Sequence, residues 1–119
     1  MGALRVVALL AAVASAALTS PSAADPQVEA AIRALRRDSS LKVRTQAAIV
    51  LGQRSAAEAV QALREAVSED GAAAVRIAAV TALGKIGDRR ARSTLRHASA
   101  ADPDGAVRSA AARVLAGFG

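Results

Sequence analysis

The chain has 119 residues, 53% of them hydrophobic and 22% charged, with a formal net charge of +6 and no cysteine. That length gives room for one small domain, and without cysteine there is no disulfide, metal thiolate or thiol nucleophile, so packing alone must hold it together. The 16 basic against 10 acidic residues bias the surface toward anionic partners, a bias that alanine- and arginine-rich usage produces just as readily by itself.

Residues 1–24 start with one basic residue, Arg5, continue through the apolar run Val6 to Leu18 and end in Ser22-Ala23-Ala24. A charged start, an apolar core and a small-x-small ending are expected of a secretory signal peptide cleaved after Ala24, which places residues 25–119 in the periplasm or outside the cell. A spanning helix needs about 20 apolar residues, and this run breaks at Thr19-Ser20-Pro21, so no transmembrane segment is expected after cleavage.

From Asp25 onward, apolar residues recur at helical spacing and turn chemistry falls where helices should end, which predicts six helices and no strand. The first runs from about Pro26 to Arg37, with Asp25 as N-cap, proline at its first position and a stripe of Val28, Ala31, Ile32 and Leu35. The second, about Leu41 to Gln53, is expected to bury Val43, Ala47, Val50 and Leu51, with Gly52 either ending it or admitting a neighbouring backbone. Ser55-Ala56-Ala57-Glu58 has the form of a capping box opening a third helix to about Ser68, with Val60, Leu63 and Val67 inward. Asp70-Gly71 turns the chain into a fourth, about Ala73 to Lys85, with Val75, Ala79, Ala82 and Leu83 inward. Asp88 should cap a fifth helix, about Arg89 to Ser99, burying Ala91, Leu95 and Ala98. Asp102-Pro103-Asp104-Gly105 then leads into a sixth, about Ala106 to Ala116.

The helices repeat. Shifted by 32 residues, Asp38, Val43, Arg44, Ala47, Leu51 and Gly52 become Asp70, Val75, Arg76, Ala79, Leu83 and Gly84. Shifted again they become Asp102, Val107, Arg108, Ala111 and Leu115, with only the glycine replaced, by Ala116. Three copies of a helical hairpin, at about residues 26–53, 56–85 and 88–117, describe an all-α solenoid, and solenoids bind more often than they catalyse. The mid-helix alanines, such as Ala47, Ala48, Ala78 and Ala79, let helix axes approach closely and build architecture rather than chemistry.

On these residues the chain resembles the HEAT-repeat family, in particular the short bacterial HEAT-like repeats also seen in phycobilisome lyases. The shared pattern is a turn aspartate, then valine-arginine, alanines and leucine-glycine, read here three times in register over residues 26–117. The resemblance implies that Asp38, Arg44, Asp70, Arg76, Asp102 and Arg108 form a buried ladder linking neighbouring repeats. An arginine fork can bond a turn carboxylate and backbone carbonyls at once, but desolvation leaves such a pair little net stability, so its expected role is to set repeat register.

Little points to catalysis. The single histidine, His97, has no acidic residue near it beyond Glu65 of the preceding repeat, and a metal site needs several ligands. The histidine-glutamate pairs of metal-dependent hydroxylases that resemble HEAT repeats are absent, and nothing beyond the repeat suggests a chromophore pocket. Ser93 and Ser109 have no base beside them, so neither a catalytic residue nor a cofactor is expected. What remains is a non-catalytic scaffold or adaptor for a protein or peptide, with two alternatives: an accessory or regulatory subunit of an enzyme, or a degenerate bilin-lyase-like protein.

Three surfaces are candidates for binding. Thr45 and Ile49 in the second helix, Ile77 and Thr81 in the fourth and Arg113 in the sixth lie on one strip of the second helices, suited to a helix or extended peptide. Arg89, Arg92 and Arg96 make a basic stripe, flanked by Arg90 and His97, that would face an anion. The sixth helix, with Val107, Ala110, Ala111, Val114, Leu115 and Phe118, has no following helix to cover it, and a weak homodimer or partner contact through Leu115 and Phe118 is expected. Nucleic acid is disfavoured, because Phe118 is the only aromatic and offers no stacking platform.

Overall fold

A computed structural model describes residues 25–118. They form six helices: α1 (Pro26–Arg37), α2 (Leu41–Gln53), α3 (Val60–Glu69), α4 (Ala73–Ile86), α5 (Arg92–Ala101) and α6 (Gly105–Gly117). There is no strand among the described residues. The expected export signal, residues 1–24, lies outside them.

Helix starts follow the turn chemistry. Asp25 accepts from the Gln27 amide at 2.9 Å to cap α1, with Pro26 at the first position, where a missing N–H costs nothing. Ser40 caps α2 by accepting from the Val43 amide, and Asp104 caps α6 by accepting from Ala106 and Val107. Two starts differ from the expected pattern. α3 and α5 are each led by a short 3-10 turn, Ala57–Ala59 and Arg89–Ala91. The capping box at Ser55 does not form: Ala56 stands at the start of the turn and no side chain caps it. Ser55 is instead the last residue of the α2 terminus, with φ of 49°. Its amide bonds the Gly52 carbonyl and the Ala56 amide bonds Leu51, a six-to-one closure that needs a left-handed residue. One period later the same place is held by Gly87, with φ of 72°.

The six helices pair as α1 with α2, α3 with α4 and α5 with α6, and α2, α4 and α6 also pack broadly on one another in a row. α1, α3 and α5 touch each other far less, so the stack opens along its first helices and closes along its second. Leu51, Leu63, Leu83, Leu95, Val60, Val75, Val80 and Val107 are fully buried along its centre, and each contributes about 1.5–3 kcal/mol by leaving water. Three pairs of them, Leu51 and Leu83, Leu63 and Leu95, and Val75 and Val107, are the same position one period apart. The alanines between them, Ala47, Ala48, Ala79 and Ala111 among others, are buried where second helices meet.

The end units depart from the expected burial. Val43, read as inward, is 41% exposed, whereas its counterparts Val75 and Val107 are both at 0%. The position faces the preceding repeat, and among the described residues none precedes the first. With Ala30, Ala34, Ala47 and Val50 it borders an open apolar face of about 410 Å³. The expected bare apolar side of α6 is corrected in the opposite sense. Val107, Ala110 and Ala111 are buried, and Val114, Leu115 and Phe118 are half-buried against the core, because α6 turns its apolar stripe back onto α4 and α5.

Candidate functional site

The junctions between repeats are built by one aspartate per turn. Asp38, Asp70 and Asp102 each accept the backbone amide two residues on, from Ser40, Ala72 and Asp104, all at 2.9 Å, which closes the turn into the second helix. The arginine of the repeat before then grips two of these carboxylates. Arg44 donates to both oxygens of Asp70 at 2.9 and 3.3 Å, and Arg76 to both of Asp102 at 2.9 and 3.1 Å. Each arginine also donates backward into its own turn, Arg44 to the Asp38 carbonyl, Arg76 to that of Asp70 and Arg108 to that of Asp102. One guanidinium thus ties the turn behind it to the turn ahead. Among the described residues Asp38 has no arginine on its carboxylate, and Arg108 has no carboxylate on its guanidinium.

The charge state of these groups follows from their surroundings. Burial pushes the Asp102 carboxyl up, but the Arg76 hydrogen bonds, the Asp104 amide and the nearby Arg76 and Arg108 charges outweigh it and hold it below its ordinary value. Every buried side-chain nitrogen and oxygen among the described residues has a hydrogen-bond partner.

Glycine sets how closely the second helices approach. A Cβ on Gly52 would lie 2.8 Å from the Ala82 Cα and 3.0 Å from its Cβ, so α2 and α4 touch backbone to backbone there. A Cβ on Gly84 would lie 2.9 Å from a Val114 methyl of α6. Neither glycine ends its helix, which settles the two readings of Gly52 in favour of close approach. Ala116, at the same place in the third repeat, is exposed, with no helix against it among the described residues. There a methyl group meets nothing.

Where the second helices close on each other their outer sides leave a groove. Between α2 and α4 it holds about 330 Å³ and is lined by Thr45, Ile49, Gly52, Ala74, Ile77, Ala78, Thr81, Ala82 and Lys85. Thr45 bonds its hydroxyl to the Leu41 carbonyl at 2.7 Å and so shows the groove a methyl group. Ile49 is exposed and Ile77 is half-buried against the core. Thr81 and Lys85 also line a second hollow of about 430 Å³ between α4 and α6, with Gly84, Arg113, Val114 and Phe118. The structure therefore brings Thr45, Ile49, Ile77, Thr81, Arg113 and Phe118 onto one continuous strip. Leu115 is not part of it.

The basic stripe spans two elements. Arg89 belongs to the 3-10 turn before α5, Arg92 is half-buried with its Nη2 on the Phe118 carbonyl at 3.5 Å, and only Arg96 stands exposed on α5 itself. Arg90 is held by Asp88 at 2.8 Å, and its guanidinium lowers the Asp88 carboxyl to about 2. His97 is exposed, and Glu65, the acid expected nearest it, is paired with Arg36 across the first junction. No group of three or more histidine, cysteine or acidic side chains among the described residues could hold a metal ion.

These junctions, with an Asp-to-Arg bond repeated at one spacing and glycine at each helix crossing, belong to a stacked helical hairpin. A family model described as HEAT repeats matches residues 28–116, most of the chain. The chain belongs to the HEAT-repeat family. Among curated proteins no relative matches it. HEAT repeats typically serve as non-enzymatic scaffolds and generally mediate protein–protein interaction. No described helix is long and apolar enough to cross a membrane.

Sequence reasoning missed Gly84 and Val114 as lining residues of the hollow between α4 and α6. It expected a ladder between neighbouring HEAT repeats but not its direction, from Arg44 forward to Asp70 and from Arg76 forward to Asp102. Both follow from the period. The glycine persists wherever another HEAT repeat follows among the described residues and is lost where none does, which marks it as a junction residue.

Proposed function

We propose that this HEAT-repeat chain is a non-catalytic protein-interaction module of an exported protein, taking a helix or extended peptide of its partner across α2 and α4. The single observation that carries this reading is the groove of about 330 Å³, apolar at Ile49, Ile77 and Ala78 and edged by Thr45, Thr81 and Lys85. Its only ionisable lining residue is Lys85, so it offers apolar contact and one charge rather than an acid-base pair. Export is supported by Arg5, the apolar run Val6 to Leu18 and the Ser22-Ala23-Ala24 ending.

The test is affinity capture from an envelope extract of the source organism with the wild-type chain and with Ile49→Glu/Ile77→Glu, the retained protein being identified by mass spectrometry. Both side chains are partly exposed, so the double variant should keep its helical signal and melting behaviour. Loss of the same partner from the variant supports the groove. Equal retention by both chains removes it.

A further inference from the structure

We infer that a second copy of this chain docks head to tail, with Arg108 of one copy pairing with Asp38 of the next. The internal junctions supply the template. Arg44 reaches Asp70 and Arg76 reaches Asp102 across the same separation, and among the described residues Arg108 and Asp38 are the two ends of that series. Both ends are already set in rung geometry. Arg108 donates Nη1 to the Asp102 carbonyl at 2.7 Å, as Arg76 does to Asp70, and Asp38 accepts the Ser40 amide as Asp70 accepts that of Ala72.

The apolar surfaces match as well. Val43 is exposed on the first repeat where Val75 and Val107 are buried by the repeat before them. Ala112 is exposed on the third repeat where its counterparts Ala48 and Val80 are buried by the repeat after them. Among the described residues each end therefore lacks the neighbour that the other end resembles. A contact between two different faces of one chain does not close on itself in pairs, so it leads to open-ended association or a ring.

Two features keep this contact weaker than an internal junction. Ala116 stands where Gly52 and Gly84 admit the next helix, and its methyl group would press on Val50 of the next copy, the counterpart of Ala82 and Val114. On the outer edge Arg64 bonds Thr94 across the second junction, whereas its counterpart Arg96 would meet Ala30, one turn from Arg33. The docking surface is distinct from the α2–α4 groove, so its failure leaves the proposed function standing.

Sedimentation equilibrium of the full chain over roughly a hundredfold range of concentration tests this. The weight-average mass should rise with concentration, and Arg108→Glu and Asp38→Arg should each weaken association by about tenfold or more. Mixing the two variants restores an opposite-charge pair at every junction and should restore the mass. Ala116→Gly, which puts back the junction glycine, should strengthen association. Val43→Glu should abolish it and tests the apolar contact without touching a turn. Thermal melts of each variant show that it is folded. A monomer at every concentration that Ala116→Gly does not change overturns the inference. Association that ignores Arg108→Glu, or that the mixture fails to restore, overturns it equally.

Discussion

Arg76→Ala removes three hydrogen bonds at once, at 2.9 and 3.1 Å to the Asp102 carboxylate and at 2.9 Å to the Asp70 carbonyl. The side chains of Arg76 and Asp102 are 11% and 5% exposed, so the carboxylate would lose its counter-charge without gaining bulk water. Breaking a buried pair from one side costs about 3–5 kcal/mol, most of it the stranded charge rather than the net worth of the pair. The Asp104 amide stays on Asp102 and Arg76 is not wholly buried, which lowers the expected loss to about 2–4 kcal/mol. In a domain of this size each kcal/mol moves Tm by about 4–8 °C, giving a fall of about 8–32 °C. The control is Arg36→Ala. It breaks an arginine–carboxylate pair with Glu65 at 3.1 Å, also between neighbouring repeats, but with side chains 44% and 39% exposed, and should cost less than about 1 kcal/mol. Thermal and urea unfolding followed by helical circular dichroism measures both, and a double-mutant cycle with Asp102→Asn isolates the Arg76 to Asp102 interaction. Equal losses from the two arginines, or no interaction energy in the cycle, would refute the view that burial gives the rungs their weight.

Four more outcomes are expected. Arg44→Ala should cost less than Arg76→Ala, since its pair with Asp70 is somewhat more exposed; the same melts decide, and the reverse order counts against the burial reasoning. Gly52→Ala should destabilise by about 1–2 kcal/mol, because its Cβ would meet the Ala82 backbone, while Gly84→Ala should cost less because a Val114 side chain can rotate away; urea unfolding ranks the two. Ser55→Gly should stabilise by up to about 1 kcal/mol, relieving a left-handed serine where the next repeat already uses Gly87, and a lower Tm would contradict this. Asp102 has a folded pKa below its unfolded value of 3.8, so its stabilisation is present above about pH 4 and is lost as pH falls through the folded value. Asp102→Asn should flatten that part of an acid-unfolding curve, and an unchanged curve would assign the acid sensitivity to other carboxylates.

The sequence by itself determined the architecture, because the solenoid is a local code repeated. Each hairpin's helical spacing, turn aspartate and leucine-glycine ending lie within one period of 32 residues, and three registered copies specify how neighbours stack. Helix positions were legible for the same reason, apart from the 3-10 turns at Ala57–Ala59 and Arg89–Ala91. At the first of these a capping pattern lost to the six-to-one closure that Ser55 completes on α2, whereas at the second Asp88 caps the turn as expected. Three things needed the tertiary structure. Periodicity assigns a residue to a face but does not say whether that face has a neighbour, so Val43 reads as core and is exposed. Spacing within a repeat relates Asp70 to Arg76, yet the carboxylate bond runs from Arg76 to Asp102, since an arginine long enough to reach its own turn carbonyl also spans to the next turn. The groove depends on how near α2 and α4 approach, which the contact of Gly52 with Ala82 sets and no single repeat contains.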